Sequence, residues 1–302
     1  MQQAVLVAVL ATMVYTVSLE LRMEDFRYVA RHPVAVGIGL LAQFVLLPAA
    51  TLALTLVLDL PAPTEAAMML VAACPGGALS NVVTAFGRGN LALSLSISAV
   101  SSLAALVLTP LNFTLMISAN PETAAWARQI QVDPKDLVLS LVLLLAVPMS
   151  AAMLTTHRAP RVAAKIRKPL ARLSGFALGA FIVASVAAQW QLFVIELGRT
   201  LPLVILHNGL GLLLGYLGSL AARLPVADRR AVVIEGGMQN SGLALGIIAA
   251  QFGSSLPMLA VAGLWGIWHA VSGGSLALLW RWLDARRGSA PRTAPAGVEG
   301  RS

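Results

Sequence analysis

The sequence is poor in charge and in cysteine. Only 11% of its 302 residues are Asp, Glu, Lys or Arg, a fraction far below that of soluble globular domains. Cys74 is the single cysteine, so an intrachain disulfide framework and a metal site built from several cysteines are excluded. We interpret Cys74 as a small apolar packing residue. Residues 1–33 have no basic stretch before their apolar run, so we interpret them as containing a retained span and not a signal peptide.

Long apolar runs are what the chain has in abundance. Hydrophobic residues make up 58% of it, the mean hydropathy is +0.82, and about 20 apolar residues suffice to cross a bilayer. Segmentation on that length predicts nine spans, near residues 4–21, 34–58, 66–86, 91–116, 137–154, 173–190, 200–222, 231–252 and 256–282. An open sheet would leave its edges unpaired in lipid, so all nine are predicted to be helices. The fold class is therefore an all-α polytopic membrane protein.

The basic residues lie in short runs between the apolar stretches, although the net charge is +8. This distribution argues against a nucleic-acid partner. With the amino terminus outside, 18 Lys and Arg residues lie on the cytoplasmic side and only Arg128, Lys135 and Arg199 on the other, in agreement with the positive-inside rule. The carboxyl terminus is then cytoplasmic. Residues 284–302, rich in Gly, Ala, Pro and Arg, are predicted to form a disordered tail.

Two apolar spans are interrupted by similar polar segments. The first is CPGGALSN at 74–81 and the second is EGGMQNSG at 235–242. Each has a Gly-Gly pair followed three or four residues later by adjacent Ser and Asn. Small residues of this kind can simply let membrane helices pack closely. Two matching interruptions are more typical of inverted-repeat transporters, whose broken helices bind substrate and ions near the bilayer midplane.

Glu235 is the only acidic residue well inside a predicted span, and no Lys or Arg lies there to balance it. A buried carboxylate needs a counter-charge, so a metal cation or a proton is expected beside it. Several neutral oxygen donors are close in sequence or in predicted position: Ser80, Asn81, Ser94, Ser98, Gln239, Asn240 and Ser241. One carboxylate among neutral oxygens favours sodium over calcium. Taken alone, Ser94 and Ser98 would more often hydrogen-bond within their own helix.

Five segments of the chain together match a known pattern: AQFVLLPA (42–49), the segment from CPGGALSN to LVLTPL (74–111), LHNGLGLLLG (206–215), EGGMQNSGLALGIIAAQF (235–252) and WHAVSG (268–273). Through these segments the chain resembles the bile acid:sodium symporter family of secondary transporters. In order and spacing the resemblance covers nearly all of the chain up to about residue 282. It implies two inverted repeats of five helices, of which this chain starts at the second helix, and two discontinuous helices that cross near the midplane.

The same resemblance implies two domains and two sodium sites. The panel would comprise about 1–30 and 136–192, and the core about 31–118 and 198–283. One sodium site would use Ser80, Asn81, Ser94, Ser98 and Glu235, with Ser98 where many members have threonine. The second would use Gln43, Glu235, Gln239 and the backbone carbonyls of Gly236 and Met238. From the residues alone, Gln43 would be interpreted as an interhelical hydrogen-bonding group.

For an organic anion, the resemblance implies a cavity lined by Ala78, Asn240 and His269. Ala78 stands where bacterial members have threonine, and Ala270 where they have asparagine, so the cavity is predicted to be less polar. Half-helix amino termini would hold the anion without Lys or Arg. We therefore expect a non-enzymatic, sodium-coupled importer of a bile-acid-like, pantoate-like or keto acid, in a bacterial inner membrane, with no obligate protein partner.

Three alternatives stay open at this point. A proton-coupled or uncoupled carrier on the same scaffold would have Glu235 protonated. An intramembrane serine hydrolase would use Ser80 or Ser241 with His207 or His269, but the sequence has no GxSG-type nucleophile turn. An arsenite-type exporter would use the Cys74 thiolate and would leave the oxygen cluster without a role.

Overall fold

The computed structural model describes residues 2–19, 23–130, 134–188, 190–253 and 255–287. In these ranges the regular structure is helical. The helices are α1 Gln2–Ser18, α2 Met23–Arg31, α3 Pro33–Leu41, α4 Leu47–Leu58, α5 Ala62–Ala73, α6 Ala78–Phe86, α7 Leu91–Ala119, α8 Pro121–Gln129, α9 Pro134–Arg158, α10 Pro160–Ala188, α11 Trp190–Ala221, α12 Val226–Gly237, α13 Ser241–Gln251 and α14 Leu256–Arg287. A π-helical turn, Ala42–Leu46, joins α3 to α4.

Five stretches of helix in the described ranges are long and apolar enough to cross a membrane. They are Pro33–Leu58, Leu91–Ala119, Leu137–Arg158, Val194–Ala221 and Leu256–Arg287. This confirms the prediction of an all-helical, polytopic membrane protein. Shorter apolar helices, among them α5 and α13, make up further predicted spans only when they are taken together with their neighbours. The count of nine spans stays a prediction.

The helix that contains CPGGALSN is interrupted where the sequence suggested. α5 ends at Ala73, and Cys74 is extended, with φ −73° and ψ 154°. Pro75 explains this, because its ring disfavours helical geometry in the preceding residue and it has no amide to donate. α6 begins at Ala78 after Gly77. The second motif behaves similarly, since α12 ends at Gly237 and α13 begins at Ser241.

The two interruptions lie against each other and pair through their backbones. Gly76 and Gln239 form an isolated antiparallel bridge. The amide of Gly77 donates to the Met238 carbonyl at 3.2 Å, and the amide of Asn240 donates to the Pro75 carbonyl at 2.7 Å. Groups that each broken helix leaves without a partner are thus satisfied by the other, which lets irregular backbone persist in an apolar interior.

Glycines bring α11 unusually close to α12, the helix that carries Glu235. A Cβ atom on Gly211 would lie 2.7 Å from the carbonyl oxygen of Gly236, and one on Gly215 would lie 2.8 Å from that of Val232. Any side chain at either position would therefore push the helices apart. The motif LHNGLGLLLG acts here by fixing the position of the last turn of α12, and Asn208 adds a hydrogen bond to the Gly237 carbonyl at 2.6 Å.

Hydropathy alone missed the polar helices. α2 and α8 lie in regions predicted as loops, and α10 begins at Pro160 although a span was predicted only from 173. α8 forms because Pro121 is compatible with a first helical turn and the Asn120 side chain accepts from the amides of Glu122 and Thr123. The carboxyl-terminal boundary also moves. Residues 284–287 belong to α14, and residues 288–302, predicted to be a disordered tail, lie outside the described residues.

Candidate functional site

Glu235 lies in the last turn of α12 and is fully buried. Its Oε1 atom accepts hydrogen bonds from the hydroxyls of Ser80 and Ser94, each at 2.6 Å. The Ser98 hydroxyl lies 3.1 Å from Oε1 and 3.2 Å from Oε2. Helices α6 and α7 thus bring three of the predicted serine ligands onto one carboxylate. We call this set the hydroxyl side of Glu235.

Asn81, also predicted, completes the hydroxyl side. Its Oδ1 atom accepts from Ser94 at 2.8 Å and lies 3.5 Å from the Ser98 hydroxyl. Thr84 was missed by the sequence analysis, and its hydroxyl lies 3.3 Å from that of Ser94. Its position on α6, four residues after Ser80 and three after Asn81, was the available signal.

The hydroxyl side has more hydrogen-bond acceptors than protons. Ser80 has a single hydroxyl proton, yet its Oγ lies 2.7 Å from the Gly77 carbonyl oxygen as well as 2.6 Å from Glu235. Ser94 likewise contacts both Asn81 Oδ1 and Glu235 Oε1 with one proton. Oxygen atoms this close without a proton between them repel each other. The cluster therefore fits an added positive charge, either a proton on Glu235 or a cation among these oxygens.

Amide groups lie on the other side of the same residue. Gln43 Nε2 donates to the Glu235 carbonyl at 2.9 Å and lies 3.4 Å from Oε2. Gln239 Nε2 donates to the Gly236 carbonyl at 3.2 Å. The Oε1 atoms of both glutamines are buried and have no hydrogen-bond partner among the described residues. Since buried carbonyl oxygens are normally paired, these two fit a cation ligand set. We call this the amide side.

Local sequence explains how Gln43 is presented. Pro48 has no amide to donate to the carbonyl of Phe44, and the π-helical turn Ala42–Leu46 lies at this point. The side chain of Asn112 on α7 supplies the missing donor, at 2.9 Å from Phe44 O. The resemblance predicted Gln43 as a ligand, and the structure places it beside Glu235.

Gly76, in the first break, lies close to the carboxylate. A Cβ atom on Gly76 would lie 2.6 Å from Glu235 Oε2 and 2.7 Å from Gln43 Nε2. Glycine at position 76 therefore leaves the space that the carboxylate and the Gln43 amide occupy. Of the two predicted backbone ligands, the Gly236 carbonyl lies beside Gln239 on the amide side, and the Met238 carbonyl accepts from the Gly77 amide at 3.2 Å.

The donor set is characteristic of a hard monovalent ion. Among the described residues, no group of three His, Cys, Asp or Glu side chains is close enough to hold a metal ion. The oxygens around Glu235 are otherwise hydroxyl, amide and backbone groups. One carboxylate with neutral oxygens suits sodium, whereas calcium prefers more carboxylates and zinc prefers nitrogen or sulfur.

The three predicted substrate residues line one cavity of about 150 Å³. Ala78 begins α6 and Asn240 precedes α13, so the amino termini of both half-helices open onto it. Gly77 offers α6 no side-chain cap, while the side chain of Asn240 accepts from the Leu243 amide at 2.9 Å. His269 lies on α14 and is 6% exposed. The partial positive charge at the amino termini of the two helices favours an anionic ligand here.

A second, mainly apolar cavity of about 50 Å³ also reaches Asn240. Apart from Asn240, its lining residues were not predicted. They come from α1, the first break, α7, α9 and the start of α13: Met13, Val14, Val17, Ser18, Pro75, Ser102, Ala105, Leu106, Leu145, Met149, Asn240 and Leu243. Apolar residues on separate helices carry no local pattern that distinguishes a cavity wall from ordinary core packing.

His207 and Cys74, residues of the other hypotheses, lie in the protein interior. His207 Nε2 lies 2.7 Å from the Thr51 hydroxyl, and no serine hydroxyl hydrogen-bonds to a histidine ring within the described part of the chain. Cys74 is fully buried in the main apolar cluster, in agreement with its predicted packing role. Among the residues that the structure describes, there is therefore neither a serine nucleophile paired with a base nor an accessible thiol.

Comparisons with known proteins point to one family. The model of the sodium bile acid symporter family matches residues 7–196. Similar proteins include the uncharacterized sodium-dependent transporter YocS of Bacillus subtilis, with 33% identity over 90% of this chain and 81% of that protein. The probable chloroplastic sodium/metabolite cotransporter BASS2 of Oryza sativa is 32% identical over 90% of this chain and 62% of its own length. The human ileal sodium/bile acid cotransporter is 26% identical over 82% of this chain and 70% of its own length.

Proposed function

Because the chain belongs to the sodium bile acid symporter family, we propose that it is a secondary active symporter that imports a small organic anion together with sodium. It is a multi-pass membrane transporter and not an enzyme, and its relatives are sodium-dependent. The observation that supports the proposal best is the cluster around Glu235. A buried carboxylate there contacts hydroxyl groups that have too few protons and amides whose oxygens have no partner.

Two sodium ions would share Glu235. The first would bind on the hydroxyl side, between Ser80, Asn81, Ser94, Ser98 and the carboxylate. The second would bind on the amide side, with Gln43, Gln239 and the carbonyls of Gly236 and Met238. The shared carboxylate couples the two sites, because an ion bound at one site changes the electrostatic potential, and so the sodium affinity, at the other. Sodium would also order the crossing of the two breaks, to which these residues belong.

The anion would bind where the two half-helices begin. The amino termini of α6 and α13 open onto the cavity that Ala78, Asn240 and His269 line. Partial positive charge at both ends would hold a carboxylate, as it does at other helix amino termini. The apolar cavity that meets Asn240 from the side of α1 and α9 would take a hydrocarbon portion of the substrate. Bile-acid-like, pantoate-like and keto acids all combine such parts.

Transport would proceed by movement of the core against the panel. The core would comprise about 31–118 and 198–283, and the panel about 1–30 and 136–192, in a nine-span inverted repeat with its amino terminus outside the bacterial inner membrane. Sodium bound at Glu235 would raise the affinity for the anion, and the loaded core would then expose its site inward. Each net positive charge that enters gains about 2.3 kcal/mol per 100 mV of membrane potential.

Uptake into proteoliposomes tests the proposal. The purified full chain would be reconstituted and given radiolabelled pantoate, taurocholate or pyruvate with either an inward sodium gradient or an equal potassium gradient. We expect at least one of the three to accumulate only with sodium. Equal uptake under both gradients would contradict sodium coupling, and uptake that follows a pH gradient and ignores sodium would instead support the proton-coupled carrier.

A further inference from the structure

Four basic residues form a continuous stripe along the first half of α10. Arg161, Lys165, Lys168 and Arg172 are spaced four, three and four residues apart. At 3.6 residues per turn this spacing places all four on one face of the helix. All four are exposed, and none forms an ion pair with a described residue. We call these residues the α10 basic stripe.

The described helices that α10 packs against lie on the side opposite the stripe. Ala163, Ser174 and Leu178 are buried, with exposed fractions of 3–5%, and α10 contacts mainly α1 and α9. The stripe therefore points away from the protein. The sequence from Leu137 to Ile195 contains no Asp or Glu, so α10 carries no acidic residue of its own beside the stripe.

The same face of α10 continues as an apolar surface. Phe176 and Val183 lie four and eleven residues beyond Arg172, and they are 77% and 68% exposed. In a membrane protein an exposed apolar helix face meets lipid acyl chains. A single helix face thus passes from cations to hydrocarbon, which is also the order of a phospholipid from headgroup to chain. The long stem of Arg172 lets its charge reach the headgroup level from a deeper position.

We propose that this face of α10 is a binding site for anionic phospholipids. Phosphate oxygens would contact the basic stripe, and the acyl chains would lie along Phe176 and Val183. Arginine recognises phosphate through paired hydrogen bonds and lysine through its point charge. The site lies outside the Glu235 cluster, and it does not depend on which side of the membrane the stripe faces or on the identity of the transported anion.

Lipid-dependent stability tests the proposal. The full chain would be purified in a neutral detergent, and its thermal unfolding followed on titration with phosphatidylglycerol, phosphatidylcholine or inorganic phosphate. A variant would carry Arg161→Gln, Lys165→Gln, Lys168→Gln and Arg172→Gln. A matched control would lose the same charge from exposed arginines elsewhere, through Arg27→Gln, Arg31→Gln, Arg199→Gln and Arg287→Gln.

We expect phosphatidylglycerol to stabilise the native chain and the matched control alike, and the other two additives to do much less. Each cation near an anionic surface strengthens binding about fivefold, so loss of the stripe should weaken the response to phosphatidylglycerol at least tenfold. An equal response from the stripe variant and the native chain would overturn the proposal. So would an equal response of the native chain to phosphatidylcholine. Stabilisation by inorganic phosphate alone would reassign the stripe to a soluble anion and would overturn the lipid site.

A second measurement does not depend on the stability of the charge variant. Cys74 is buried, so a fluorophore can be attached selectively through Phe176→Cys on α10 or through Leu279→Cys on α14, which is 47% exposed. In mixed bilayers, brominated phosphatidylglycerol should quench the label at 176 more strongly than brominated phosphatidylcholine does. The label at 279 should be quenched equally by both. No preference at 176 would contradict the site.

Discussion

The two sides of the Glu235 carboxylate are built in different ways. The hydroxyl side comes from regular helix, with side chains of α6 and α7 spaced about one turn apart. The amide side comes from irregular backbone, the π-helical turn that presents Gln43 and the break that presents Gln239. On the hydroxyl side, the serine hydroxyls contact more acceptor oxygens than they have protons to donate. On the amide side, the Oε1 atoms of both glutamines have no hydrogen-bond partner among the described residues.

Because of this difference, we expect the two sides of Glu235 to tolerate amino-acid substitutions unequally. A hydroxyl can donate to the carboxylate or offer a lone pair to a cation, so it suits both states of a site that fills and empties. A glutamine oxygen can only accept, and among the described residues of the amide side no spare side chain of the same kind could take over as a cation ligand. We therefore expect substitutions on the amide side to cost more than those on the hydroxyl side, and substitution of the shared carboxylate to cost most of all.

The largest effect is expected from Glu235→Gln. It removes the charge that both sides share. Losing an interaction with a charged ligand, which contributes about 3 kcal/mol of binding free energy, would lower sodium affinity roughly a hundredfold. Sodium-dependent stabilisation of the purified chain would measure it. Glu65→Gln is the matched control, since Glu65 is also buried and hydrogen-bonded, to Leu60 and Asn120, away from the cluster. If sodium stabilised the Glu235→Gln protein as much as the native chain, Glu235 could not be the sodium ligand that both sides share.

The next effect is expected from Gly76→Ala. Its Cβ would lie 2.6 Å from Glu235 Oε2 and 2.7 Å from Gln43 Nε2, so it would displace the carboxylate from the amide side. Loss of sodium affinity by tenfold or more is the expected result, at about 1.4 kcal/mol per tenfold change. Gly263→Ala is the control, because nothing lies within 4 Å of a Cβ at that position. Similar sodium titrations for the two variants would show that this close approach is not needed.

Gln239→Ala and Ser98→Ala should both lower sodium affinity, the first somewhat more than the second. The first removes an oxygen with no substitute, and we expect about a tenfold loss of sodium affinity. The second leaves the hydroxyls of Ser80 and Ser94 on the same carboxylate, so about a threefold loss is expected. Sodium titrations of transport or of thermal stability would give both values. If Ser98→Ala were the more damaging change, the ranking of the two sides would be reversed.

The smallest effect on sodium is expected from Ala78→Thr. The added hydroxyl would enter the cavity between the two half-helices, where Ala78 lies at the start of α6. We expect the preference among organic anions to change while sodium affinity stays within about twofold, or ~0.4 kcal/mol. Competition of unlabelled acids against a transported one would measure the preference. A large change in sodium affinity would mean that this cavity and the hydroxyl side are not separate.

Much of this arrangement could be predicted from the sequence, because it depends on local chemistry. Pro75 and the glycine pairs predict breaks in helices, and an acid without a basic partner predicts a cation site. Gln43 could be predicted only through the family resemblance. Pro48 indicates that the carbonyl of Phe44 loses its helical donor, but nothing in the residues alone indicates that Asn112, far along the chain, supplies another.

Other parts could not be predicted, because they depend on how separate helices pack. The backbone pairing of Gly76 with Gln239 and the apolar cavity between α1, α7 and α9 join residues distant in sequence. The first half of α10 was missed for another reason. Its basic stripe has the spacing of a helix face, but segmentation by hydropathy treats charged sequence as loop.

Sodium-specific stabilisation of the native chain tests the central claim most directly. Thermal unfolding of the purified protein would be measured in sodium chloride and in potassium chloride of equal concentration. With sodium far above its dissociation constant, we expect the midpoint to rise by about 5 °C or more in sodium only, and this rise to be largely lost in Glu235→Gln. An equal midpoint in the two salts for the native chain would contradict a sodium site at Glu235.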